Sequence, residues 1–303
     1  MSTSRIKRFQ RGVARYGLYI AGFILTHLSY SVMRFLGRIF IVIGFVFLGR
    51  KKKIALESLE IAFGKEKSDD EIKELLKTCF YNFGKGIVEI IYFMTHPQMI
   101  KDRVVIENKH YLDEALSCGR GVVAVSAHFG NFPLMLLRLA QEGYPVNAIM
   151  RSARDEKIEK YFEAARIRLG LKAIYSHPRR KCVVNSIRAL RNNEFLFILL
   201  DQHSGSGGSV FVDFFGTKAA TATGPVVFAM RTESPILPIF IVRQKDDTHK
   251  IIIDKPFVLE KREDEKEMIQ VNIARITNII EQYIRQYPQE WSWMHRRWKG
   301  KNN

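Results

Sequence analysis

Cysteine is scarce and acidic charge is outnumbered. The 303-residue chain has three cysteines, Cys79, Cys118 and Cys182, odd in number and without the spacing of a metal site. They argue against a disulfide framework, fit a reducing compartment and are expected to be buried, inert thiols. Asp and Glu number 31 against 48 Lys and Arg, a net charge of +17. Spread along the chain, that excess favours anionic partners: nucleic acid, an acidic membrane surface or an acidic carrier protein. Internal repeats and low-complexity linkers are absent, so the length fits one large domain or two small ones. Between Tyr16 and Met33 there is no Asp, Glu, Lys or Arg.

That uncharged stretch is rich in Leu, Ile, Phe and Tyr, and is at the short end of the roughly 20 apolar residues that span a bilayer. Arg34 and Arg38 interrupt it; Ile39 to Gly49 is apolar again before Arg50-Lys51-Lys52-Lys53. The second stretch is too short to span alone and suits the interface, with its arginines reaching lipid phosphates. Without a small-residue cleavage site the segment does not read as a removable signal peptide. Basic residues on both sides leave its orientation open. The expectation is a membrane anchor over residues 1–50 and a second domain over residues 51–303.

Downstream, Ser68 and Glu71 form a capping box ahead of a helix that Gly84 and Gly86 are expected to bend or divide. From Val104 strands and helices alternate, as in "GVVAVSA" followed by "FPLMLLRLAQEG". The strand "EFLFILLD" is so apolar that both its faces must be covered. This alternation predicts an α/β fold, a mixed sheet flanked by helices, with an N-terminal membrane-anchoring helix. Strand-end loops of such a sheet gather its chemistry.

"AVSAHFGNFPLM" sets His128 at the mouth of a strand-to-helix connection, where histidine can act as a general base. Asn131 is placed to cap the following helix, and Pro133 is tolerated in its first turn. Asp201 ends "EFLFILLD", where an aspartate is costly to bury without a partner. After Gln202 and His203 comes "SGSGGS", a loop for an anion or a flexible turn. "FFGTKAATATGP" reads as a second loop, whose Thr221 and Thr223 bind an anion or cap the next helix. His249 and Asp254, five apart, sit in an expected strand and point to opposite faces, which makes that pair a decoy. "EWSWMHRRWKG" interleaves tryptophans with His295, Arg296, Arg297 and Lys299, suiting base stacking, a bilayer interface or a phosphate clamp.

The ordered set "AHFGN", "LLDQ", "VFVDFFGTKAATATGP" and "WSWMHRRWK" resembles the bacterial lipid A late acyltransferases, the lauroyl/myristoyl acyltransferase family. "GRKKKIALESLEIAFG" and "FYNFGKGIVEII" are similar to it as well, so the resemblance covers nearly the whole chain. It implies a glycerolipid-acyltransferase-like fold at the cytoplasmic face of the bacterial inner membrane. It also implies transfer of a fatty acyl chain from acyl carrier protein to a hydroxyl of a phosphorylated lipid A precursor, with no metal and no organic cofactor. His128 matches the histidine of the family's His-x4-acid motif, but Pro133 stands where the acid belongs. Asp201 and Gln202 match an aspartate-glutamine pair, although His203 and Ser204 replace the Asp-Tyr that often follows. Arg151 aligns with a substrate-binding arginine.

The departure at Pro133 admits an acid from elsewhere, with Asp201 as candidate, an unassisted histidine, or a chain that binds lipid without catalysis. His128 is expected to be the base and Asp201 the acid, with Asn131, Arg151, Gln202, Thr223 and Arg296 contacting substrate. The alternatives are another acceptor, such as a lysophospholipid or amino-lipid, and a non-catalytic lipid-binding protein. Nucleic-acid binding fits the charge but neither the anchor nor the apolar strands.

Overall fold

The computed structural model of the protein describes residues 12, 16, 17, 20, 23, 24 and 27–299, apart from 154, 206 and 207. The expected anchoring stretch Tyr16 to Met33 lies partly outside them. Helix α1 (Tyr30–Phe47) runs straight through Arg34 and Arg38, and α2 (Gly49–Phe63) follows at 84°. Among the described residues no single helix is long and apolar enough to cross a membrane; this bent pair passes that test only taken together. Arg34 does not reach outward to lipid but forms an ion pair with Asp247, because α1 lies against the body of the protein.

Helix α3 (Asp69–Thr95) begins with the expected reciprocal capping box at Ser68 and Glu71, and carries Asp69, Asp70 and Glu71 in its first turn. These carboxylates favour the positive end of the helix dipole. Helix α3 runs unbroken through Gly84 and Gly86, which do not divide it. A Cβ on Gly84 would meet Ile41 of α1 at 2.5 Å, and one on Gly37 would meet Val88 of α3 at 3.1 Å. Glycine here serves helix-to-helix approach.

A seven-stranded sheet follows, with strands β1 (Val104–Glu107), β2 (Val122–Ser126), β3 (Val146–Met150), β4 (Lys172–Tyr175), β5 (Phe195–Leu199), β8 (Ile236–Arg243) and β9 (His249–Ile253) in the order β1-β9-β8-β2-β5-β3-β4. Only the β8–β9 pair is antiparallel. The crossovers are α4 (Lys109–Ser117), α5 (Phe132–Gln141), α6 (Glu156–Arg168), α7 (Arg179–Arg191) and α8 (Gly224–Thr232); α9 (Glu265–Gln286) closes the fold. The mixed sheet flanked by helices is therefore present. The stretch "TKAATA" is not a loop: it forms β7 (Thr217–Ala222), paired antiparallel with β6 (Ser209–Phe214). Phe215 and Gly216 both take positive φ, 55° and 68°, as a two-residue hairpin turn requires.

Strand alternation divides two cores. Val123 and Val125 of β2 face one with Leu196, Ile198 and Phe240. Val122 and Ala124 face the other with Phe195, Phe197 and Leu237. Both faces of the central strands are thus covered, which fits their unbroken apolar sequences. Cys79 and Cys182 are buried, whereas Cys118 is exposed because it lies just past the end of α4, beyond its packed face.

Candidate active site

Strands β2 and β5 run parallel with Val122 opposite Phe195 and Ser126 opposite Leu199. The same register, continued two residues past the last pair, sets His128 opposite Asp201. The chain must turn sharply there, and Gly130 makes it possible. Its φ is +54°, and a Cβ would meet the Ile241 carbonyl oxygen at 2.1 Å. Pro133 sits in the first turn of α5; Asn131 is at the N-cap, but its side chain accepts no capping bond.

The segment after α9 clamps this turn. Gly130 N–H donates to the Glu290 carbonyl at 2.8 Å, Ser292 N–H donates to that of His128 at 2.9 Å, and Phe129 bridges Trp291. The Trp291 indole N–H then donates to Asp201 Oδ2 at 2.7 Å. His128 supplies two more donors, its backbone N–H to Oδ2 at 3.0 Å and its ring Nδ1–H to Oδ1 at 2.9 Å. Asp201 is 1% exposed, so an unpartnered charge here would be costly. Burial pushes its carboxyl up, but the His128 charge and these three hydrogen bonds outweigh burial and hold the pKa down at about 2. His128, its side chain 24% exposed, has the opposite balance. Burial disfavours its imidazolium, yet Asp201 lifts its pKa above the ordinary value.

A carboxylate can only accept, so it fixes the proton of neutral His128 on Nδ1 and leaves the lone pair on Nε2. Gln202 answers that lone pair with its amide Nε2, 3.0 Å away and also 3.3 Å from His295 Nε2. Burial, with His128 beside it, pushes His295 down to about 4, so this second imidazole is neutral. Arg297, fully buried, donates to the carbonyls of Gln202 at 3.1 Å and Ala220 at 2.8 Å, and to the Thr221 hydroxyl at 2.5 Å.

His128 and His295 look into a cavity of about 480 Å³, walled by apolar side chains including Phe80, Phe83, Ile87, Phe132, Pro133 and Trp293. Behind it lies a buried charge cluster. Arg243 holds both oxygens of Glu89, at 2.5 and 2.8 Å, and pairs with Asp247 at 3.5 Å. Asn131 is spent on this side: its amide donates to the Gly86 carbonyl at 3.3 Å and to Glu89 at 3.2 Å.

Of the residues singled out in the sequence, His128, Asp201 and Gln202 meet at one point, with Asn131 on the cavity wall. Arg151 is exposed beyond β3 and does not line the cavity. The Thr223 hydroxyl donates to the Gly208 carbonyl at 2.9 Å, and Arg296 is exposed. The glycine-rich stretch after His203 falls partly outside the described residues.

The family model described as "Bacterial lipid A biosynthesis acyltransferase" matches residues 7–300. The chain belongs to that acyltransferase family. A lipid A biosynthesis palmitoleoyltransferase of Escherichia coli is 27% identical over 278 residues, 90% of this chain and 87% of that protein. A lipid A biosynthesis lauroyltransferase of the same organism is 25% identical over 281 residues, 91% and 88% of the two chains. A solved 1-acyl-sn-glycerophosphate acyltransferase of Thermotoga maritima aligns over 88% of this chain and 97% of its own at 13% identity. Its TM-score is 0.38.

The cluster includes three side chains of the "EWSWMHRRWKG" run that the sequence did not single out from their neighbours. His295 rather than Arg296 faces His128, Arg297 rather than Arg296 is the buried guanidinium, and the Trp291 indole is a third donor to Asp201. Their segment is irregular, so no helix or strand period tells which of its residues point inward. The available signal was compositional: tryptophans and an arginine in one run must find partners if they are buried.

Proposed function

We propose that this protein transfers a fatty acyl chain from an acyl carrier protein thioester to a hydroxyl of a lipid A precursor, with His128 as general base. The observation that carries this reading is the Asp201–His128 pair at the mouth of an apolar cavity. The acceptor hydroxyl gives its proton to His128 Nε2 while its oxygen attacks the thioester carbonyl. The imidazolium so formed keeps its Nδ1–H on Asp201, 2.9 Å away, which offsets the new charge. The tetrahedral intermediate then expels the thiolate, and His128 returns the proton to sulfur. Asp201 arrives from a neighbouring strand and supplies the carboxylate that Pro133 cannot.

Placement at the cytoplasmic face of the inner membrane belongs to the same proposal, as does a division into an anchor over 1–50 and an acyltransferase domain over 51–303. Contact with a membrane is supported by the outward face of α1, where Val32, Phe35, Ile39, Val42, Ile43 and Phe47 are exposed together. Exposed apolar groups in such number mark an interaction surface, here a bilayer. Lys51, on the cavity wall at the start of α2, suits the phosphates of the acceptor.

The test is a detergent assay read by mass spectrometry, with long-chain acyl carrier protein, a tetra-acylated lipid A precursor, a lysophospholipid and an amino-lipid. Gain of one acyl chain on the lipid A precursor, lost in His128→Ala, is the expected result. Transfer to another acceptor alone would replace the substrate assignment. No transfer to any would leave a lipid-binding protein.

A further inference from the structure

Acyl transfer needs a base and also donors for the negative charge that develops on the thioester oxygen. Most donors near His128 are already engaged. The backbone N–H groups of Gly130 and Ser292 go to the carbonyls of Glu290 and His128, and that of Phe129 to Ala127. The Asn131 amide goes to Gly86 and Glu89, and the Asn82 amide to Glu290. The Gln202 amide is different. Its side chain is exposed, and its nitrogen rests between two imidazole nitrogens, His128 Nε2 at 3.0 Å and His295 Nε2 at 3.3 Å.

We propose that Gln202 is the oxyanion donor of the reaction and that His295 is the positioning residue that aims it. This rests on the acyl-transfer reading above. When the acceptor hydroxyl binds, it takes the His128 lone pair that the Gln202 N–H occupies in the empty site. One N–H is thereby released next to the carbon under attack, while the other stays on His295. As the hydroxyl oxygen bonds to the carbonyl carbon, its proton passes to His128 and the carbonyl electron pair moves to oxygen, where the freed N–H meets it. Collapse of the intermediate re-forms the carbonyl, breaks the carbon–sulfur bond and sends the proton from His128 to sulfur.

Three features fit this role. Asp201 fixes the His128 lone pair on Nε2, so the nitrogen of the amide, not its oxygen, must face the ring. Arg297, buried and bonded to the Gln202 carbonyl, anchors the backbone from which the side chain reaches. His295 stays uncharged through the physiological range, so with its proton on Nδ1 its Nε2 accepts from the amide without an opposing charge.

The experiment compares steady-state kinetics of Gln202→Ala, Gln202→Glu, His295→Phe, His295→Gln and the double variant Gln202→Ala/His295→Phe in the full-length protein, with thermal melts as a check on folding. Removing one oxyanion donor costs about 10²–10³ in kcat in a protease, and Gln202→Ala is expected in that range with KM little changed. Gln202→Glu, which sets a carboxylate against the oxyanion, should do no better. His295→Phe should lose roughly 10-fold, and His295→Gln, whose amide oxygen can accept the same N–H, should recover much of it. In the Gln202→Ala background His295→Phe should cost almost nothing further.

An active wild type with Gln202→Ala within about threefold of its kcat would overturn the inference and leave the acyl-transfer reading standing. Additive losses, or equal losses in His295→Phe and His295→Gln, would remove His295 from the role. A wild type inactive on every acceptor would remove both, and is recognised before any variant is made.

Discussion

Replacing Asp201 by Asn changes a single atom type in a buried site, and its consequence can be worked out donor by donor. The carboxylate accepts from His128 N–H, Trp291 Nε1–H and His128 Nδ1–H. An amide has one oxygen and one NH2. The first two donors share Oδ2, so the amide oxygen takes that place and its NH2 faces His128 Nδ1. The ring must then accept at Nδ1 and carry its proton on Nε2, the atom that in the proposed mechanism receives the proton of the substrate. The Gln202 N–H, 3.0 Å from that atom, is left opposing another N–H.

The wrong tautomer in a serine-protease triad lowers kcat about 10⁴-fold, or roughly 5.4 kcal/mol at 1.36 kcal/mol per decade. The expectation here is a fall of about 10³–10⁴ in kcat/KM. A second signature is the acid limb of the pH–rate profile. Asp201 holds the His128 pKa above 6.5, so wild-type kcat/KM should rise through a limb above that value. Without the carboxylate, burial is left to act alone, and the limb of the residual activity should move below 6.5. Kinetics from pH 5 to 9 in detergent would read both. A variant within threefold of wild type, or an unmoved limb, would refute the pairing of His128 with Asp201.

Gly130→Ala should destabilise by a few kcal/mol, about 3 or more, since a Cβ would lie 2.1 Å from the Ile241 oxygen at a φ of +54°; chemical denaturation would measure it. Glu290 is buried and its pKa is pushed up to about 7, mainly by burial, with Glu89 adding to it. A raised folded-state pKa contributes stability that is complete below the unfolded value near 4.5 and is lost as pH rises through about 7. Glu290→Gln should therefore match wild type at pH 5 and exceed it at pH 8 by on the order of 2 kcal/mol, as paired urea melts would report. Val42 and Phe47, 62% and 82% exposed on α1, are the test of the bilayer face. Val42→Glu with Phe47→Glu should cut co-sedimentation with anionic vesicles at least 10-fold while leaving the melting temperature nearly unchanged.

The central sheet was legible because its strands are apolar on both faces, and a parallel sheet buried on both sides demands that pattern. Two strands escaped notice for the opposite reason. Lys172–Tyr175 is a four-residue edge strand, and Thr217–Ala222 is built of small residues with no apolar alternation. The small side chains of the latter have a physical cause. Ala219, Ala220 and Thr221 are buried, and Arg297 reaches the Ala220 carbonyl and the Thr221 hydroxyl. Arg34 misled in the same way: a charge inside an apolar run reads as a break, yet a helix tolerates arginine well, and Asp247 receives it.

The site divides along the same line. His128 and Asp201 were visible because each ends a buried strand, and parallel register brings strand ends together. What surrounds them was not, because most of it comes from a segment that begins 90 positions beyond Asp201 and has no regular period. That segment changes the meaning of Pro133. In a His-x4-acid arrangement the acid must reach back from the first turn of the helix. Here Asp201 comes from the next strand, and the Trp291 indole and His128 backbone N–H hold it ionised from the far side. With the carboxylate supplied from β5, the first turn of α5 is free to carry an apolar residue, and Pro133 joins the cavity wall. Restoring an acid there by Pro133→Glu would therefore not improve the base; it would put a charge into an apolar cavity, raise KM for the acyl donor and lower kcat/KM by roughly 10-fold or more. A gain in kcat instead would mean that the Asp201 pairing is a substitute that catalysis tolerates rather than the arrangement it uses.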